Sequence, residues 1–201
     1  TSGVLLLCLA LLASFHLYTW GDPVRHHAKL VALNQNSTRA WVMYGNLYFK
    51  RYNQSKNTEL LQRALEITQQ GLRQAPAPIL AANIITYKSI LDNTTDVDWQ
   101  TLYQIMEDAP PSWLNSTVVQ MLMVNANKGF SIDPKKLLHA IEILYRKPEG
   151  MRLPFMEIAI FAYKAGLKED AKKWFLRSAK QEAAGSVQLE RVANELDAAG
   201  Y

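Results

Sequence analysis

The stretch AWVMYGNLYFKRYNQSKNTELLQRALEITQQGLRQAP, residues 40–76, decides the fold. Trp41, Tyr44, Tyr48 and Tyr52 recur at intervals of three and four, which places them on one face of an α-helix. Gly45 sits among them and lets a neighbouring helix come close. Ser37 or Thr38 can cap this helix, predicted over residues 38–52, and a polar loop over 53–57 follows. A second helix, predicted over 58–74, turns Leu61, Ala64, Leu65, Thr68, Gly71 and Leu72 inward. Ala75-Pro76 ends it, because proline cannot continue the hydrogen-bond ladder.

Beyond Pro76 the same alternation of helix and breaker continues. Helices are predicted over 79–91, 98–108, 114–128 and 133–146, separated by Asn93-Thr94-Thr95, Pro110-Pro111 and Gly129-Phe130-Ser131. Asp133-Pro134 reads as a cap followed by a first-turn proline, with Ala140, Leu144 and Tyr145 facing the core. A further pair carries Phe155, Ile158, Ala159 and Ala162, a turn at Gly166, then Ala171 and Phe175 as packing positions. A closing helix over 186–199 turns Leu189, Val192, Ala193 and Leu196 to one side and charges to the other, which suits a cap. The fold class is therefore all-α, about four helix pairs plus a capping helix over residues 38–201.

Upstream, Val4 to Ala13 reads VLLLCLALLA, and aromatics gather at Phe15, Tyr18 and Trp20, as where a membrane helix leaves the bilayer. From Val4 to Tyr18 the apolar stretch gives about 22 Å of helix, against roughly 30 Å of hydrocarbon. Residues 1–20 are expected to be a transmembrane helix, truncated at its start, with the membrane met through residues 4–18. A cleaved signal is the competing reading, although Leu11 spoils a small-residue site for cleavage after Ala13. Residues 21–37 are a linker in which Asp22 caps and Pro23 opens a short helix ending near Asn34.

Composition excludes several function classes. The chain has 201 residues, 49% hydrophobic and 20% charged, an ordinary globular balance. Its 22 Lys and Arg against 18 Asp and Glu contain no run of five like charges, which argues against nucleic acid as a partner. The single cysteine, Cys8, lies in the apolar leader, so neither an internal disulfide nor a cysteine zinc site is available. No phosphate-cradling glycine loop, nucleophile elbow or H-E-x-x-H occurs, and adjacent His26 and His27 point about 100° apart on a helix. No catalytic residue, metal ligand or cofactor is assigned. Four N-x-[ST] triplets, at Asn36, Asn53, Asn93 and Asn115, hint at an extracytoplasmic surface, although caps and turns explain the same residues.

The 40–76 pair resembles a tetratricopeptide repeat in its Trp41, Tyr44, Gly45 and Tyr48, then Ala64, Gly71 and Pro76. It departs from that family in a longer interhelical loop and in Thr68, where the family has an aromatic. The pair around Gly166 matches a second time. The resemblance implies an α-solenoid with a concave groove lined by the first helix of each pair. Carried onto this chain, the groove positions are Arg39, Val42, Asn46, Phe49 and Lys50, then Asn83 and Tyr87, then Met156, Ile160 and Tyr163. It also implies a protein or peptide partner in that groove and a scaffold with no enzymatic activity of its own. The plainer reading of Phe49, Ile160 and Tyr163 is packing against a neighbouring helix.

The order of apolar helix, Trp20-Gly21-Asp22, short helix, Asn36 to Ala40 and Gly45 to Tyr48 resembles a junction in multi-spanning membrane proteins. Those are the transmembrane and tetratricopeptide O-mannosyltransferases and their bacterial relatives, in which repeats follow the last membrane helix on the non-cytoplasmic side. On that likeness the chain is the non-catalytic C-terminal part of a larger membrane protein, its repeats extracytoplasmic (periplasmic). It would then be the acceptor-selecting tail of a lipid-linked-sugar glycosyltransferase. A single anchor would instead suit an envelope or cytochrome biogenesis assembly factor, and a third reading makes the repeats an oligomerisation platform.

Overall fold

The computed structural model describes residues 2–146 and 153–183, with positions 191, 195 and 198 beyond them. Among the described residues the chain is all-helical. In order it forms α1 (Ser2–Trp20), α2 (Pro23–Leu33), α3 (Thr38–Ser55), α4 (Thr58–Gln74), α5 (Pro78–Ile90), α6 (Asp96–Asp108), α7 (Trp113–Asn127), α8 (Pro134–Arg146), α9 (Phe155–Lys164) and α10 (Lys168–Ala183). Helices adjacent in sequence pack as pairs, most extensively α3 with α4 and α9 with α10. That arrangement is compatible with a helical-repeat fold. Two compact units divide the chain, Thr1–Lys88 and Ser89–Tyr201.

The helix starts follow from cap chemistry. The backbone N–H of Val24 donates to Asp22 Oδ1 at 2.9 Å, that of Ala40 to Ser37 Oγ at 3.3 Å, and that of Glu59 to Asn57 Oδ1 at 2.9 Å. Thr95 and Asp98 form a reciprocal box that starts α6 two residues earlier than the predicted 98–108, and Asp133 Oδ1 accepts from both Lys135 and Lys136. The predicted loop over 53–57 is mostly helix instead. Nothing in Tyr52 to Ser55 breaks the ladder, so α3 runs on to Ser55, and Lys56 ends it in the left-handed region at φ 57°. The closing helix expected over 186–199 lies outside the described residues, except that Arg191 donates to Glu195 at 2.8 Å.

In the first unit, α3 and α4 approach closely at two glycines. A Cβ placed on Gly71 would lie 2.6 Å from the Cβ of Trp41 and 2.7 Å from its Cγ, and one on Gly45 would lie 2.6 Å from Thr68 Oγ1. Trp41 is thereby sealed at 2% exposure among Val31, Ala40, Ile67, Ala75 and Leu80, with its indole N–H donating to the Gln35 carbonyl at 2.7 Å. The departure at Thr68 has a physical reason. The hydroxyl donates to the Ala64 carbonyl at 2.8 Å and occupies the gap beside Gly45. An aromatic ring comes close from α5, where buried Tyr87 lies beside Thr68 and 4.7 Å from the Phe49 ring.

In the second unit, α8 packs against α6, α7 and α9 and buries Leu137, Leu138, Ala140, Ile141, Ile143 and Leu144. Tyr103 on α6 donates to the Lys136 carbonyl at 2.8 Å and meets His139 edge-on, while Lys136 pairs with Asp96. Lys173 bonds Glu142 and holds its carboxyl below the usual carboxylate range, so this pair's contribution is present above about pH 4.5 and fades as pH falls. The turn between α9 and α10 needs φ +78° at Gly166, which a side chain tolerates poorly. The expected register on α10 is corrected. Trp174 is fully buried, against Tyr145 and Phe155, whereas Phe175 is 41% exposed.

α1 differs from the transmembrane helix expected at residues 1–20: among the described residues, no helix is long and apolar enough to cross a membrane. The apolar run gives way to Ser14, and polar Ser14, His16 and Thr19 interrupt it up to Trp20. Val4, Leu5, Leu6, Leu7, Leu9, Leu11 and Leu12 are all exposed, so the helix is apolar on every side over Val4 to Ala13. It packs against α2, where the Trp20 and His26 rings lie 4.4 Å apart.

The α10 register gives a direct test by chemical denaturation. Trp174→Ala is expected to destabilise the second unit by about 3–5 kcal/mol, and Phe175→Ala by under about 1 kcal/mol. The reverse order would mean that Phe175 holds the core.

Candidate functional site

On α3, Arg39, Met43, Asn46 and Lys50 are spaced by four, three and four residues and all are exposed, forming one solvent-facing stripe. Three of these are expected groove positions. Val42 instead packs against the Trp41 core, and half-buried Phe49 lies against Tyr52 and Tyr87. Asn83 and Tyr87, expected to line the groove from α5, are corrected to packing residues, 6% and 1% exposed. Tyr87 donates to Asn46 Oδ1 at 3.1 Å, and burial pushes its phenol well above the ordinary value. The hydroxyl therefore stays protonated and ties α5 to α3.

On α9, Met156, Ile160 and Tyr163 part company. Met156 faces a depression shared with Tyr145, Leu153, Pro154 and Phe155. Ile160 is 47% exposed and lines a cleft between α7 and α9, and Tyr163, 70% exposed, stands one turn further along the helix. The cleft has a volume of about 210 Å³ and is lined by Gln120, Met123, Val124 and Asn127 from α7 and by Glu157, Ile160, Phe161 and Lys164 from α9. Met123 and Phe161 are buried and form its floor; Val124 and Ile160 stand half exposed on its walls. Gln120, Asn127, Glu157 and Lys164 form a polar rim with one acid and one base.

This arrangement is open to water, with Glu157 and Lys164 as the charged groups of its rim. Drug-sized ligands fill pockets of about 300–1,000 Å³. A 210 Å³ cleft instead admits one or two side chains of a polypeptide lying across it, with the amides of Gln120 and Asn127 able to bond its backbone. The α7 residues escaped the sequence reading, although Gln120, Val124 and Asn127 share one helical face at spacings of four and three. An exposed valine flanked by two amides was the available signal.

At the other end of the chain, the His26 and His27 rings lie 5.4 Å apart at 59°. His27 Nδ1 is buried without a partner, and burial, then neighbouring His26, lowers its pKa. No group of three or more His, Cys, Asp or Glu able to hold a metal occurs among the described residues. Of the four asparagine triplets, Asn36, Asn53 and Asn93 are exposed. Asn115 is buried at 5% exposure and donates to the Pro110 carbonyl at 3.1 Å, so it does not serve as an acceptor in the folded chain. No protein-family model, curated protein or solved structure matches the chain.

Tyr87→Phe removes the bond to Asn46 and is expected to destabilise by about 1 kcal/mol in urea unfolding. Arg39→Ala and Lys50→Ala on the exposed stripe should change stability by less than about 0.5 kcal/mol. Equal effects would remove the distinction between packing and surface positions on α3 and α5.

Proposed function

We propose that this chain is a membrane-associated scaffold of tetratricopeptide type that docks a partner polypeptide, and that it forms the non-catalytic part of a larger protein. The observation that carries the docking reading is the α7–α9 cleft, where exposed Val124 and Ile160 flank an apolar floor inside a polar rim. Apolar side chains left open beside hydrogen-bonding amides favour an extended segment that inserts one apolar residue and bonds through its backbone. Tyr163, exposed one turn from Ile160, adds an aromatic contact at the edge. Arg39, Asn46 and Lys50 on α3 offer a second, more polar surface for the same kind of partner.

The membrane part of the reading rests on α1. An all-round apolar helix gains by leaving water, at about 25 cal/mol per Å² of apolar surface removed, and lipid supplies that environment without a dedicated partner. The succession of α1, Trp20, α2 and α3 follows the order of the junction in the transmembrane and tetratricopeptide O-mannosyltransferases. That order favours one second reading, in which the scaffold is the extracytoplasmic, acceptor-selecting tail of a glycosyltransferase.

Selection from a displayed random-peptide library on the detergent-solubilised full chain tests the docking site. Enriched peptides should carry one apolar residue between polar neighbours, and Val124→Glu with Ile160→Glu should lower their affinity by tenfold or more while leaving the helical circular dichroism unchanged. Enrichment that survives both substitutions would move the site elsewhere, and no enrichment at all would count against a peptide-binding scaffold.

A further inference from the structure

The positive charge of the chain is not spread along it. Residues 1–58 contain Arg25, Lys29, Arg39, Lys50, Arg51 and Lys56 against one acid, Asp22, whereas residues 59–201 contain 16 Lys and Arg against 17 Asp and Glu. The whole excess of +4 therefore arises in the part of the sequence that carries the exposed apolar helix.

At the foot of α1 that charge is organised. α2 begins three residues after Trp20, packs against α1 and contains no acidic residue. Arg25 and Lys29 stand four apart on one face of α2. The Arg25 guanidinium lies 3.7 Å over the Tyr18 ring and stays 47% exposed. Tyr18 and Trp20 are themselves 62% and 67% exposed. Asp22 approaches Arg25 at 3.4 Å, but its other carboxylate oxygen caps α2, so it offsets the local charge only in part.

Apolar helix, exposed aromatics and basic side chains thus follow one another in the order of a bilayer's hydrocarbon, interface and headgroup layers. We propose that the first turns of α2 form a basic collar, led by Arg25 and Lys29, that binds the phosphate headgroups of anionic lipids where α1 enters the bilayer. The inference rests on the reading of α1 as the lipid-inserted element. Arg25, planar and already stacked on Tyr18, gives up little freedom on pairing with a phosphate.

Flotation of the full chain with vesicles separates the two claims. One set is pure phosphatidylcholine, the other phosphatidylcholine mixed equally with phosphatidylglycerol. The expected result is binding to both, about tenfold or more tighter on the mixed vesicles, with that advantage vanishing at about 1 M salt. Arg25→Gln with Lys29→Gln should lose on the order of tenfold on mixed vesicles and nothing on neutral ones. Arg25→Lys with Lys29→Arg should keep the advantage, which separates charge from a structural effect. Equal binding to both vesicle types would overturn the collar while leaving α1 inserted. Binding to neither would overturn both.

Discussion

The approach of the Gly71 backbone to the Trp41 side chain is the constraint on which the first unit depends. A side chain at position 71 would overlap Trp41 at its Cβ and Cγ, atoms that cannot swing away as a flexible terminus does. The close approach lets Trp41 fill the space between α3 and α4, and its indole N–H then anchors the Gln35 carbonyl. That bond ties down the turn before α3, beside which α2 packs. One missing Cβ thus reaches, through a tryptophan and one hydrogen bond, to the element that carries the basic residues beside α1.

Most helices were legible in the sequence because caps and breakers flank an apolar period. Where the reading failed, the chain offered no local punctuation. Tyr52 to Ser55 contain nothing hostile to a helix, so α3 lengthens at the expense of a loop. On α10 two adjacent aromatics compete for one core position, and the wider ring of Trp174 fills the space against Tyr145 and Phe155 better than Phe175. Period alone does not separate neighbours that differ by 100° on a broad apolar face.

Of the expected groove positions, Arg39, Asn46, Lys50, Ile160 and Tyr163 are exposed, whereas Asn83 and Tyr87 are buried. The reason lies in α5, whose residues from Leu80 to Tyr87 are all buried. A helix apolar on nearly every side is enclosed, and its few polar groups serve packing. Tyr87 instead packs beside Thr68 and against the Phe49 ring, a contact across helices that no single-helix pattern reveals. The α7–α9 cleft joins half-polar faces of two helices far apart in sequence. Its modest volume and mixed rim, with one acid and one base, come from residues that no single-helix pattern groups together.

Amide hydrogen exchange on the Gly71→Ala variant tests the central packing claim most directly. Overpacking by one methyl against an indole should destabilise by about 1–3 kcal/mol, so the most protected amides of α3 and α4 should exchange roughly 5- to 150-fold faster while those of α8 keep their rates. Unchanged protection in α3 and α4 would show that the glycine–tryptophan contact does not hold the pair together.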